Sequence, residues 1–152
     1  MKQELIAEYL RSHGLRITQA RMRLVEIFLS RKNAFESADL EKEITGNHDR
    51  SSLFRNLQAF IKAGILHRIP MENGDAFYAL CENALQETSC NNDHPHFTCT
   101  QCARVFCLPQ VNVPPIKGLP SGYAVESSQL FLKGVCDKCR QRKSHGPERK
   151  AK

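Results

Sequence analysis

Two Cys-x-x-Cys pairs, Cys99-x-x-Cys102 and Cys136-x-x-Cys139, constrain this 152-residue chain more than any other feature. A two-residue gap lets both sulfurs of a pair reach one tetrahedral ion, so the pairs together predict a structural Zn(2+) site of four thiolates. The interval between them exceeds that of a compact finger and needs a β-rich segment to close it. "YAVESSQLFLKGVC" has the alternation and β-branched content of such a strand, and Gly134 allows the turn into the second pair. A closed four-thiolate site is structural, and its binding free energy, on the order of 10 kcal/mol, does what a small core cannot. Two independent redox dithiols would use the same residues, but paired knuckles favour metal.

All seven cysteines lie at or after Cys81, so the chain divides into a cysteine-free half and a cysteine-rich half. Disulfides rarely persist in a reducing compartment, which makes metal ligation or thiol redox sensing the expected role. No run is apolar enough to cross a bilayer, and "MKQELIAEYLRSHG" has no signal-peptide core. The expected location is cytoplasmic, with no membrane partner. A net charge of +6 favours an anionic partner. Part of that charge is Arg140, Arg142, Lys143, Arg149, Lys150 and Lys152, in a tail expected to be disordered over 141–152.

The cysteine-free half reads as helices followed by a hairpin. Leu5, Ile6, Tyr9 and Leu10 give a stripe for a helix from Gln3 to Ser12, ended by His13-Gly14. Thr18 caps a second helix that buries Ala20, Leu24, Ile27 and Phe28. A third starts near Ser37, carries Leu40 and Ile44 inward, and closes at Gly46-Asn47. The fourth opens between Asp49 and Ser51, repeats Leu53, Leu57, Phe60 and Ile61 at helical steps, and ends at Lys62-Ala63-Gly64. "ILHRIPMENGDAFYAL" then places two apolar runs around Asn73-Gly74, a pair suited to a tight hairpin. Three helices and a hairpin make a winged helix-turn-helix with an extra N-terminal helix. Its fourth helix exposes Arg50, Ser51, Ser52, Arg55 and Gln58, side chains able to meet base edges and phosphates.

Several ordered motifs together resemble the ferric uptake regulator (Fur) family of metal-dependent repressors, from about Leu5 to Arg140. "GLRITQARMRLVEIF" resembles its second-helix motif, and "DRSSLFRNLQAFIKAGILHRI" its recognition helix and first wing strand. "HPHFTCTQC" corresponds to its His-x-His-x-x-Cys-x-x-Cys signature, and "LFLKGVCDKC" to its closing strand and second cysteine pair. The resemblance implies an α+β homodimer in which metal at a hinge site switches affinity for a double-stranded DNA operator. The implied division is a winged-helix domain over 1–80, a hinge over 81–93 and a small β-rich α/β dimerisation domain over 94–140. It also implies zinc at Cys99, Cys102, Cys136 and Cys139, and entry of Ser52, Phe54 and Arg55 into the major groove. Phe54 stands where the family usually has tyrosine, which removes a hydroxyl but keeps apolar contact. Arg16 and Arg21 complete the expected DNA-facing set.

The resemblance also bears on which metal is sensed. Iron sensors of the family take a histidine before the third helix and a glutamate on the second wing strand. Those places fall near Asn33-Ala34 and Ala79 here, and Pro95 replaces an aspartate used by peroxide sensors. Zinc sensors use a histidine opening the wing, a cysteine ending it, a signature histidine and a later glutamate. His67, Cys81 and either His94 or His96 match the first three, and Cys107 stands at the glutamate position, a softer ligand suited to zinc. The expected regulatory ion is therefore Zn(2+), with Fe(2+) as the alternative. Cys90 matches no family position. "LPQVNVPPIKGLPSGY", with Pro114, Pro115 and Pro120, replaces a helix usual in the family, so this domain should be small and β-rich.

Two other classes of function use the same residues. A thiol-redox switch would work through Cys81, Cys90 or Cys107. A zinc enzyme would need a nucleophile with an oriented base, and no such arrangement is legible, so neither catalysis nor a small-molecule substrate is expected.

Overall fold

The computed structural model describes residues 2–44, 50–72, 74–81, 94–126 and 128–144. Gly46-Asn47, Asp49, Asn73, Cys90 and most of the expected hinge lie outside the described residues, as does the chain beyond 144.

Helix α1 (Lys2–Ser12) buries Ile6 and Leu10, and α2 (Gln19–Ser30) buries Leu24, Val25, Ile27 and Phe28. Thr18 caps α2 as expected, its hydroxyl accepting the Arg21 N–H at 3.3 Å. After α2 comes a two-residue strand, β1 (Phe35–Glu36), then α3 (Ser37–Glu43) and α4 (Arg50–Lys62). Leu53, Leu57 and Phe60 face inward from α4, against Leu10, Leu24, Phe35 and Leu40. Burying each such side chain contributes about 2–3 kcal/mol. Gly64, at φ 72°, ends α4 in the left-handed region and sends the chain into the wing.

The wing strands β2 (Leu66–Pro70) and β3 (Ala76–Leu80) pair antiparallel, with Pro70 opposite Ala76. Their connection is thus five residues long, not the two-residue turn that Asn73-Gly74 predicts. Met71 N–H donates to the Asp75 carbonyl at 3.0 Å across its base. β1 adds to the free side of β3, giving the order β1-β3-β2. The winged-helix layout is present, widened by a strand too short for periodicity to reveal.

A second sheet is built from β4 (His96–Cys99), β5 (Val105–Cys107) and β6 (Phe131–Gly134), in the order β5-β4-β6. β4 runs antiparallel to β5 and parallel to β6. The strand expected across Tyr123–Cys136 is therefore only four residues long. Gly134 lies inside it rather than in a turn: a Cβ there would stand 3.2 Å from the Phe97 ring. Residues 108–126 carry no helix or strand, in keeping with their prolines. One expectation needs correction. The tail begins inside a helix, α5 (Asp137–Ser144), nucleated at the second cysteine pair. No helix among the described residues is long and apolar enough to cross a membrane.

Candidate metal centres and DNA-facing helix

Parallel pairing sets Cys99 opposite Gly134, so β4 and β6 deliver their cysteine knuckles to the same end of the sheet. The Cys99, Cys102, Cys136 and Cys139 sulfurs all lie within 4.8 Å of one another, and Cys102 and Cys136 are 3.9 Å apart. A tetrahedral ion with Zn–S bonds of about 2.3 Å requires sulfur–sulfur edges of about 3.8 Å. The Cys136 N–H donates to Cys99 Sγ at 3.3 Å. That bond, with others from Cys102 and Gln101, draws the Cys99 thiol down to about 6. Hydrogen bonding to Cys136, then burial, pushes Cys139 up to about 12. Four thiols crowded this closely suit a divalent cation that replaces their protons. The cluster can hold zinc.

A second cluster spans the two sheets. His67 is the second residue of β2, His96 opens β4, and Cys107 closes β5. His96 and Cys107 are register partners, so their side chains share one face. His94, two residues earlier, turns to the same place. The His67 and His96 Nε2 atoms are 3.4 Å apart, and Cys107 Sγ is 3.3 Å from His67 Nε2. All four donor atoms lie within 4.8 Å of one another. A tetrahedral ion with metal–nitrogen bonds of 2.0–2.1 Å has nitrogen–nitrogen edges of about 3.4 Å. His94 Nε2 and His96 Nδ1 are buried without a hydrogen-bond partner among the described residues. Such orphans are costly unless something else satisfies them, and a bound cation would do so at His94. Both signature histidines thus join the cluster, where the sequence left a choice between them.

Cys81 does not join it. Its sulfur lies 3.8 Å from His67 Nδ1, the ring nitrogen that faces away from the other donors, and it is disulfide-bonded. A disulfide sulfur has no thiolate to offer a metal. At the positions where iron sensors carry ligands, the chain instead packs its two sheets together. Ala34 and Ala79 are buried with Ile69 and Val105, and the Ala34 N–H donates to the Val105 carbonyl at 2.8 Å. Lys133 on β6 also reaches Glu72 in the wing loop at 2.8 Å, an exposed pair of small worth that lowers the Glu72 carboxyl pKa.

Burial, then the nearby His94 and His96, pushes the His67 imidazole down to about 3. Burial, then His94, brings His96 to about 4. Both rings are therefore neutral at pH 7, the form in which imidazole ligates a metal. In the chain without a metal at this site, unfolded imidazoles take up protons below their ordinary value of about 6.5, whereas the folded ones do not. Their stabilising contribution is complete above pH 6.5 and is lost as pH falls towards 4. The urea midpoint of the wild type should drop more steeply over that interval than that of His67→Gln/His96→Gln; parallel curves would contradict the assignment.

Ser51, Arg55 and Gln58 are exposed on α4, and Arg16 is exposed ahead of α2. Arg55 folds back on its own helix, its guanidinium donating to Ser51 Oγ at 3.0 Å. Phe54 packs partly into the core with the Arg50 guanidinium 5.7 Å over its ring. Arg50 also pairs with Glu41 at 2.9 Å, which ties the start of α4 to α3. Arg21 is half-buried and donates from Nε to Asn56 Oδ1 at 3.0 Å, while Asn56 donates to the Ser52 carbonyl at 3.0 Å. Arg21 and Arg50 thus hold α4 in place through intramolecular bonds. Asn56 was missed by sequence reasoning. Its only signal is the four-residue step from Ser52.

The Ferric uptake regulator family pattern matches residues 12–120. The ferric uptake regulation protein of Neisseria meningitidis serogroup A is 27% identical over 139 residues, covering 86% of this chain and 90% of its own. The peroxide operon regulator of Bacillus subtilis is 24% identical over 144 residues, 91% of this chain and 93% of its own. A zinc uptake regulator solved with zinc and DNA superposes with a TM-score of 0.63 at 18% identity, covering 95% of this chain and 98% of that one. These relatives are regulators named for iron, peroxide and zinc, so kinship leaves the effector open. With a winged-helix layout, a four-cysteine cluster and this family match, the chain belongs to the ferric uptake regulator family of metal-responsive, DNA-binding transcription regulators.

Proposed function

We propose that this protein is a zinc-responsive repressor that binds a double-stranded operator as a homodimer and controls metal-uptake genes. The carrying observation is the convergence of His67, His94, His96 and Cys107 from the wing and the second sheet. Three imidazoles and one thiolate, with no carboxylate among the described residues of the cluster, favour zinc over oxygen-preferring ions. Zinc at Cys99, Cys102, Cys136 and Cys139 stabilises the second sheet, over an implied dimerisation domain of 94–140. The second Zn(2+) supplies a bond between wing and second sheet that fixes the orientation of the winged helix.

Fixing that orientation matters because a dimer must present two α4 helices to major grooves about one helical turn apart. A metal that binds only the competent arrangement raises affinity by raising that population. Within the groove, Ser51, Ser52, Arg55 and Gln58 read or brace the DNA, Phe54 offers an apolar edge, and Arg16, Arg21 and Arg50 support the helix and its phosphate contacts. A DNA partner implies that this work is done in the cytoplasm.

A titration of the purified protein with zinc, iron and manganese against operator DNA tests the reading. The expected result is two zinc ions per chain and zinc-selective DNA binding. Iron selectivity would replace zinc with Fe(2+) at the same ligands. The disulfide at Cys81 supports a thiol-redox reading, which reversible loss of DNA binding on oxidation at constant zinc would favour.

A further inference from the structure

Five of the chain's six net positive charges lie in its last sixteen residues. Residues 137–152 hold seven Lys and Arg against Asp137 and Glu148, while the preceding 136 residues hold fifteen against fourteen acidic ones. The family pattern matches residues 12–120 and does not reach this segment.

The first half of that charge is carried on a defined element. Helix α5 starts at the structural cysteines, where the Arg140 N–H donates to the Cys136 carbonyl at 2.9 Å and Cys139 is buried. Lys138, Arg140 and Arg142 are exposed, and no acidic side chain among the described residues pairs with them. Lys138 and Arg142 are four residues apart on one helix face, where like charges repel. Apart from Cys139 the helix is polar all round, and among the described residues it lacks the oppositely charged pairs that usually support such a helix. The helix dipole favours cations only in the last turn, which leaves Lys138 unexplained. A polyanion would relieve this repulsion, and the family's macromolecular partner is one.

We propose that α5 is a second DNA-binding surface that meets backbone phosphates apart from α4. It adds affinity without reading sequence. This rests on the operator-binding function proposed above. Because the helix is anchored at the four-cysteine cluster, the charge is presented from a fixed point rather than from a free tail.

The test uses the full-length, zinc-loaded protein and its Lys138→Gln/Arg140→Gln/Arg142→Gln variant, matched for zinc content. Binding to an operator duplex with flanking DNA and to a scrambled duplex is measured across salt concentrations. Each phosphate that the variant no longer neutralises reduces the slope of log affinity against log salt by about 0.9. The expected result is a slope lower by about 2 or more per chain and at least tenfold weaker binding on both duplexes, so the operator preference is kept. Lys117→Gln, an exposed cation far along the chain from α5, should leave the slope unchanged. An unchanged slope in the triple variant would sink the proposal, as would an equal loss from Lys117→Gln. Loss of binding to phosphatidylserine vesicles with unchanged DNA binding would assign the helix to membranes instead. Absence of DNA binding by the wild type would overturn the operator reading and this proposal together, whereas intact binding with an unchanged slope overturns this one alone.

Discussion

Replacing Cys136 and Cys139 with serine is expected to remove one zinc per chain and to dismantle the second sheet. The reason lies in what that sheet has for a core. Around the four-cysteine end its buried residues are Cys99, Cys136 and Cys139 themselves, with Phe97, Cys102 and Phe106 only half-buried against them. β6 is four residues long and is held in parallel to β4, a pairing of modest strength. A structural zinc site contributes on the order of 10 kcal/mol, comparable to the whole stability of a small domain. Serine preserves volume and cannot ligate at neutral pH, so the effect isolates the metal. Metal analysis combined with amide hydrogen exchange should show rapid exchange throughout β4, β5 and β6, while protection in α2 and α4 persists. A protected second sheet without zinc would contradict the assignment.

The second large effect is expected from His67→Ala/His96→Ala. These two rings face each other across the sheets at 3.4 Å, so the pair removes the wing's ligand and the one opposite it. Losing even an outer partner of a metal ligand costs 10- to 100-fold in affinity, and losing two ligands should cost at least about a hundredfold. The variant should keep one zinc per chain at the four cysteines and lose all metal dependence of operator binding. Metal-independent binding should remain at the level of the wild type without its second ion. Unchanged metal dependence would show that the effector binds elsewhere.

Much of the frame is legible in the sequence because helical periodicity and turn residues agree over long stretches. Leu53, Leu57 and Phe60 define α4 without ambiguity, and the four cysteines announce their site by spacing alone. What escapes is short or depends on partners distant in sequence. β1 has two residues, too few for any period, and exists because β3 had a free edge. Alternation from Tyr123 onwards resembles a long strand, yet only Phe131–Gly134 finds β4 to pair with. Arg140 and Arg142 read as part of a disordered tail because charge density masks the anchoring role of Cys139. In the second cluster, Cys107 departs from the family's glutamate, and its register opposite His96 places it firmly among the donors. Cys81 matches its family position well, and the orientation of the His67 ring and its disulfide set it apart. Ring orientation leaves no trace in spacing.

The parallel pairing of β4 with β6 also has a consequence for how the protein is made. Helices α1 to α4 and the wing are joined by contacts among the first 81 residues, so they can fold as soon as that length leaves the ribosome. His96 must wait for Phe131, and Cys99 for Cys136, before the second sheet can close. Contacts across such separations form late. A nascent chain therefore has its winged-helix half folded before its four clustered cysteines are all present. On the zinc reading proposed above, metal supply during synthesis decides how many of these half-finished molecules are completed.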